Sequence, residues 1–146
     1  MENKTAIRSF RDLDVYQTAY QAMLDVFKYI LPKLPAEEKF DLVDQLKRST
    51  KAVPRLISEG HSKRHQKKGF QKYLDDAMPE SNETMVGLAQ SKDLYQVEPA
   101  ICEKLMDTYD KISRQCYKLS IAWSNFNERK SVTEPNDVNR NEPRNR

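Results

Sequence analysis

The sequence predicts an all-α protein, an antiparallel up-down-up-down four-helix bundle, on three observations. Apolar residues recur at alternating three- and four-residue intervals in four long segments, the period of a helix face. Only short breaks separate these segments, and short connections between long helices make neighbours antiparallel. Glycine occurs just three times, at Gly60, Gly69 and Gly87, which excludes phosphate and dinucleotide loops built on clustered glycines.

The first helix is marked by Leu13, Tyr16, Tyr20, Met23, Phe27, Ile30 and Leu34, with Val15, Ala19, Ala22 and Val26 forming a second stripe beside them. Pro32 and Pro35 end it. The second helix starts at Pro35, where Glu37 and Glu38 complement the positive end of the dipole. Its stripe is Leu42, Leu46, Ser49, Val53 and Leu56, with Phe40, Val43 and Ile57 alongside. Pro54 predicts a kink, and Gly60 is placed to follow the helix end. The third helix spans roughly residues 66–95, with Phe70, Tyr73, Leu74, Ala77, Ser81, Thr84, Met85 and Leu88 inward and a second kink at Pro79. Val97, Glu98 and Pro99 make the last turn. The fourth helix then runs to about Asn127 on Leu105, Tyr109, Ile112, Cys116, Leu119, Trp123 and Phe126. The expected organisation is a polar N-terminal segment over residues 1–11, the bundle over 12–127, and a disordered polar tail over 128–146.

A chain of 146 residues is enough for one domain with a core. Mean hydropathy is −0.87, no apolar run approaches the roughly 20 residues of a membrane helix, and the N-terminus has no signal-peptide core. A cytoplasmic location is the expectation. Cys102 and Cys116 lie on one helical stripe about 21 Å apart, too far for a disulfide.

The charge distribution carries the functional reading. Between Lys47 and Lys72 the cations are Lys47, Arg48, Lys51, Arg55, Lys63, Arg64, Lys67, Lys68 and Lys72, and Glu59 is the only acid. Clustered cations of this kind replace the counterions condensed on a nucleic acid. The nucleic-acid-binding candidates are Lys63, Arg64, Lys67 and Lys68, with Lys47, Lys51 and Arg55 on the adjoining helix face; Arg140, Arg144 and Arg146 of the tail would add weak contacts. The alternative is a solvated face offset by the acidic stretches 37–44 and 75–83, on a structural protein–protein scaffold. His61 and His65 are spaced for a metal pair only if both are helical, and the cations around them repel a dication. Asp75, Asp76, Glu80 and Glu83 lack the Glu-x-x-His pattern of a carboxylate metal bundle and read as ion pairs such as Lys72–Asp76. The two cysteines share a core-like stripe on a helix without a histidine, so no enzyme, cofactor or metal is expected. Glu59, at a helix C-terminus, is expected to need a cationic or donor partner. Antiparallel pairing places Gln45 and Arg48 level with Glu80–Glu83, predicting a hydrogen-bonded polar contact between those groups and a structural role for Glu83. The apolar width of the first helix, and a second face of the fourth at Cys102, Met106 and Tyr117, predict a homo-oligomer.

The chain resembles the four-helix-bundle proteins encoded in rRNA intervening sequences. Their aromatic-rich opening is matched by Phe10, Leu13, Val15 and Tyr16, and the Leu-Pro before an acidic helix start by Leu34, Pro35 and Glu38. Gln45, Leu46, Lys47 and Arg48 match a Gln-Leu-basic-Arg signature. Ile57, Glu59, Gly60, Lys63 and Arg64 match an Ile-x-Glu-Gly end with its basic turn, and Tyr73, Leu74, Ala77 and Glu83 match the third helix. Pro79 and Glu80 stand where the family usually has a small Gly-Ser pair. The resemblance covers about residues 10–120. It implies a closed homo-oligomer, a pentamer, and kinship with accessory proteins of diversity-generating retroelements, which bind nucleic acid and a reverse transcriptase.

Overall fold

A computed structural model describes the backbone of residues 6–133 and the side chains of residues 6–125. Four long helices dominate it: α1 (Asp14–Asp25), α2 (Leu42–Ser62), α3 (Gly69–Tyr95) and α4 (Pro99–Thr133). Contacts between helices show their directions. Along α2 and α3, Leu46 lies at Gly87, Ser49 at Thr84 and Gly60 at Tyr73, so numbers fall on one helix as they rise on the other. Gln71 meets Ser120 and Lys92 meets Glu103 between α3 and α4. Beside α1, Lys33 pairs with Glu98, and Lys51 of α2 sits 6.0 Å from the Phe27 ring. Every neighbouring pair is antiparallel, with α1 bordering α2 and α4, and α3 on the far side.

The first helix is not one α-helix. It passes into a π-helical turn, Val26–Ile30, and a 3-10 turn, Leu31–Lys33, where Pro32 stops it. The Leu31 amide bonds the Val26 carbonyl, one residue more than an α-turn. That extra residue aligns Ile30 with Val15, Ala19, Ala22 and Val26, which are the positions buried in the core. Of the stripe of larger residues, Leu13, Ile30 and Leu34 are buried, whereas between them Tyr16, Met23 and Phe27 are half-buried and Tyr20 is 44% exposed. Of the two expected stripes, the one with smaller side chains fills the bundle.

Other boundaries also differ from expectation. A 3-10 turn, Ala36–Glu38, precedes α2, and Phe40 is left 87% exposed beside Lys39 instead of packing along the helix. Pro54 is buried and Pro79 exposed, and neither interrupts its helix. The N-terminal segment is structured from Ser9, whose side chain and that of Asp12 cap a short turn and place Phe10 against Tyr16. The fourth helix continues to Thr133, so residues 128–133 of the expected disordered tail are helical; the rest of that tail, with Arg140, Arg144 and Arg146, lies outside the described residues. Cys102 is fully buried, extending the core stripe of α4 through Leu105, Tyr109, Ile112 and Cys116. It is therefore not part of an outward face with Tyr117.

The α2–α3 seam is lined by small and hydroxylic residues. Gly60 is inside α2, not beyond its end, because α3 passes so close that an added Cβ would lie 2.7 Å from Tyr73 Cβ and 3.0 Å from Phe70 Cδ1. Ser81, Ser91 and Thr50 donate to the carbonyls of Ala77, Gly87 and Leu46, so their hydroxyls are satisfied inside their own helices. Thr84 Oγ1 lies 2.9 Å from the Glu80 carbonyl oxygen and 2.8 Å from Ser49 Oγ, a buried bond across the seam. This is the buried polar contact between the two helices. Glu83 is exposed; of the contact expected between Gln45, Arg48 and Glu80–Glu83, Arg48 favours the ionised Glu80 carboxyl, while Gln45 bonds Asp41 instead.

Two stability predictions follow from this packing. Gly60→Ala gains about 1 kcal/mol of helix propensity but meets a Cβ that cannot move without its backbone, so the net effect is a loss of about 1–2 kcal/mol in denaturant unfolding. Tyr109 Oη is buried and has no hydrogen-bond partner among the described residues, and burial pushes its pKa up. Tyr109→Phe keeps the ring and removes the unsatisfied hydroxyl, so it should raise stability by about 1 kcal/mol. A destabilised variant would show that the hydroxyl is satisfied by water.

Candidate nucleic-acid interface

The turn from α2 to α3 is built by the backbone before any side chain acts. The amide of Lys63 bonds the Gly60 carbonyl, that of Gln66 the Lys63 carbonyl, and that of Gly69 the Gln66 carbonyl. Lys68 takes a left-handed conformation, φ 58°, to redirect the chain into α3. At Gly69 an added Cβ would come within 2.1 Å of the Lys63 carbonyl oxygen, so only glycine allows the turn to close this tightly.

Aromatic packing fixes the turn to the bundle. The His61 ring meets Phe70 edge-on at 5.8 Å, and Phe70 meets Trp123 of α4 at 5.6 Å. His61 is buried, not exposed as a phosphate contact would be, and α2 ends at Ser62, so His65 sits in the turn and the helical i, i+4 relation between the two histidines is lost. Arg64 Nη1 donates to the His61 carbonyl at 2.7 Å. Lys63 Nζ donates to Tyr73 Oη at 2.8 Å and lies over that ring at 5.1 Å. Two of the expected phosphate contacts therefore also brace the turn, whereas Lys67 and Lys68 are exposed.

The structure divides the remaining candidates. Lys47, Lys51 and Arg55 are exposed on the outer face of α2, with Lys47 about 24 Å along the axis from Lys63. Arg48 pairs with Asp44 at 3.2 Å within α2, and Gln45 Nε2 donates to Asp41, the residue just before that helix. Burial raises the Glu80 carboxyl, the neighbouring Glu83 raises it further, and Arg48 and Arg55 oppose both. Arg48 and Arg55 thus share their field with α3 acids, while Lys51 leans towards Phe27 of α1. Glu59 is exposed in the last turn of α2, where its charge favours the Lys63 ammonium. Lys72 and Asp76 do not pair; among the described residues the i, i+4 ion pairs are Asp44–Arg48 and Asp110–Arg114.

A cleft beside the turn escaped the sequence reading. Between α3 and α4, Lys68, Gln71, Lys72, Asp75, Asp76, Ser120 and Ser124 line a space of about 560 Å³. Gln71 Nε2 donates to the Ser120 carbonyl at 3.2 Å and ties the two helices together there. Gln71 and the two serines come from helices 49 positions apart at that bond, a proximity no local pattern contains.

Protonation at this end of the bundle has a defined sign. Burial holds the His61 imidazole below its usual value of about 6.5, Arg64 adds to the depression, and Asp12 opposes it. The unfolded chain therefore binds more protons than the folded one at mildly acidic pH. Stability is full above about pH 6.5 and falls as pH drops from there towards the lowered folded value. Glu80, with its raised carboxyl, acts in the opposite direction at lower pH, so the informative comparison is between wild type and His61→Gln. Urea midpoints from pH 7.5 to 5.5 should fall less steeply in the variant; superimposable profiles would contradict the assignment.

No curated protein matches the chain. Residues 11–118 match the family described as 23S rRNA-intervening sequence protein. That span begins in the capped turn before α1, includes the whole of α2, the basic turn and α3, and ends well inside α4. On that match, the chain belongs to the 23S rRNA-intervening sequence protein family.

Proposed function

We propose that this protein is a non-enzymatic accessory protein that binds nucleic acid through the α2–α3 turn. The observation that carries the reading is the exposed pair Lys67 and Lys68, with Lys63, Arg64 and Lys72 around them, on a turn braced by its own backbone and by the His61–Phe70–Trp123 contacts. The family it belongs to is described by an rRNA intervening sequence, which sets the protein in an RNA context. Phosphates are the target, and affinity depends steeply on salt with little sequence preference. Nucleophilic chemistry has no support in the thiols: burial raises both, Cys116 to about 12, and a protonated buried thiol is inert. Among the described residues no helix is long and apolar enough to cross a membrane, and a cytoplasmic location goes with the reading.

Self-association is part of the proposal. Tyr20 and Leu24, one turn apart on α1, and Tyr117 and Ile121, one turn apart on α4, expose apolar surface. The family resemblance favours five copies, in which the basic turns would act multivalently. It also extends the reading to a protein partner, a retroelement reverse transcriptase or other ribonucleoprotein component. The scaffold reading, in which these apolar residues serve a partner protein and the turn is only solvated, is the alternative.

The test is the double variant Lys67→Glu/Lys68→Glu, which leaves the braces at Lys63 and Arg64 in place. Binding to structured RNA and to duplex DNA should weaken at least about tenfold at low salt, and the slope of log K against log salt should drop by roughly two. A folded, assembled variant with unchanged affinity and slope would hand the lead to the scaffold reading. Light scattering at micromolar concentration should show several times the 17.1 kDa chain mass; a monomer would remove the oligomer from the proposal.

A further inference from the structure

We propose that the cleft between α3 and α4 beside the basic turn holds one unpaired ribonucleotide, and that it makes the interface selective for single-stranded RNA. The inference rests on the nucleic-acid reading above and names its substrate class.

The cleft's chemistry is wrong for phosphate alone. Lys68 and Lys72 stand at it one turn apart, but Asp75 and Asp76 line the same space. Neither lysine pairs with either carboxylate, although both types line one cleft, so the acceptors are not consumed by the cations. A carboxylate only accepts hydrogen bonds, and it repels a phosphodiester. What suits it is a donor. The backbone of DNA has none. The backbone of RNA has one per residue, the 2′-hydroxyl, and unpaired bases add amino and imino donors.

Shape makes the second selection. A volume of about 560 Å³ falls within the range of clefts that hold small molecules, about 300–1,000 Å³. The cleft lies open to solvent between two helices that Gln71 and the Ser120 carbonyl hold together. A base splayed from a single strand can enter it, whereas a duplex keeps its bases stacked and paired. Lys68 and Lys72 then meet the flanking phosphates, Asp75 and Asp76 take the sugar hydroxyl and base donors, and the Ser124 hydroxyl adds a group that both donates and accepts. Lys68 belongs at once to the turn and to the cleft, which makes the two surfaces continuous.

The experiment is fluorescence anisotropy on the full chain with labelled 20-mers of one mixed sequence, made as single-stranded RNA, 2′-O-methyl RNA, single-stranded DNA and duplex RNA. Single-stranded RNA should bind about tenfold more tightly than the other three, the effect of one charge-assisted hydrogen bond. Asp75→Asn/Asp76→Asn, at two exposed positions, should bring the RNA-to-DNA ratio towards one. If those carboxylates merely repel phosphate, the variant will bind every probe more tightly and keep the ratio, which overturns the proposal. Ser124→Leu, which fills the cleft, should bring single-stranded RNA affinity down towards that of duplex RNA; an unchanged difference between the two probes overturns the proposal. Equal binding of all four probes by wild type overturns this inference and leaves the basic turn intact; no binding of any probe overturns both.

Discussion

The close approach of α2 and α3 sets the terms for the rest of the molecule. Gly60 against Tyr73 and Gly87 against Leu46 remove the side chains that would hold the helices apart. Such an approach buries Ser49, Thr50, Ser81, Thr84 and Ser91, whose hydroxyls would be costly in a dry seam. Four of them bond carbonyls one turn back on their own helices, and Ser49 bonds Thr84 across the gap. The seam is thus polar in composition and yet satisfied. Its rigidity is what lets a six-residue turn carry several like charges without opening, since the strain of their repulsion is resisted by the seam and by the aromatic contacts to α4.

Charge is distributed around this seam unevenly. On its outer side, Arg48 and Arg55 face Glu80 and Glu83, and Arg48 also holds Asp44. Cations there are largely balanced. Towards the turn the balance fails, because Lys67 and Lys68 have only Glu59 of the preceding helix and Asp75 and Asp76 of the next near them in sequence. A net charge of +3 says little about this. The positive field belongs to one end of the bundle, and field from clustered charges reaches a polyanion further than field from paired ones.

The opposite arrangement holds on α1. Its core stripe is made of alanines and valines, and its larger side chains lie towards the surface, some in contact with one another, as Phe10 and Tyr16 are at 4.9 Å. A π-helical turn is tolerated there because it serves to bring Ile30 into line with that stripe. Between α1 and α4 a second cleft of about 640 Å³ remains, lined in part by Gln17, Gln21, Asp25 and Lys104. The α1 side of the bundle is accordingly less closely packed than the α2–α3 side.

Periodicity alone determined that there are four helices, where three of the connections fall, and which stripe of α4 is buried, because a helix face repeats locally and needs no partner to be recognised. It also located the basic turn, since that cluster is contiguous in sequence. Tertiary structure decided what depends on distance between helices. Two stripes on α1 had equal claim to the core, and only the space available in the bundle chose the smaller. Gly60 read as a helix end, and the nearness of Tyr73 made it a packing residue. Glu83 read as a polar partner of Gln45 and Arg48, and the buried bond across the seam is instead that of Ser49 with Thr84, whose short side chains fit there. The Gln71–Ser120 cleft was illegible for the same reason: its walls are joined by a bond spanning 49 positions, and adjacency of that kind exists only once the helices are packed.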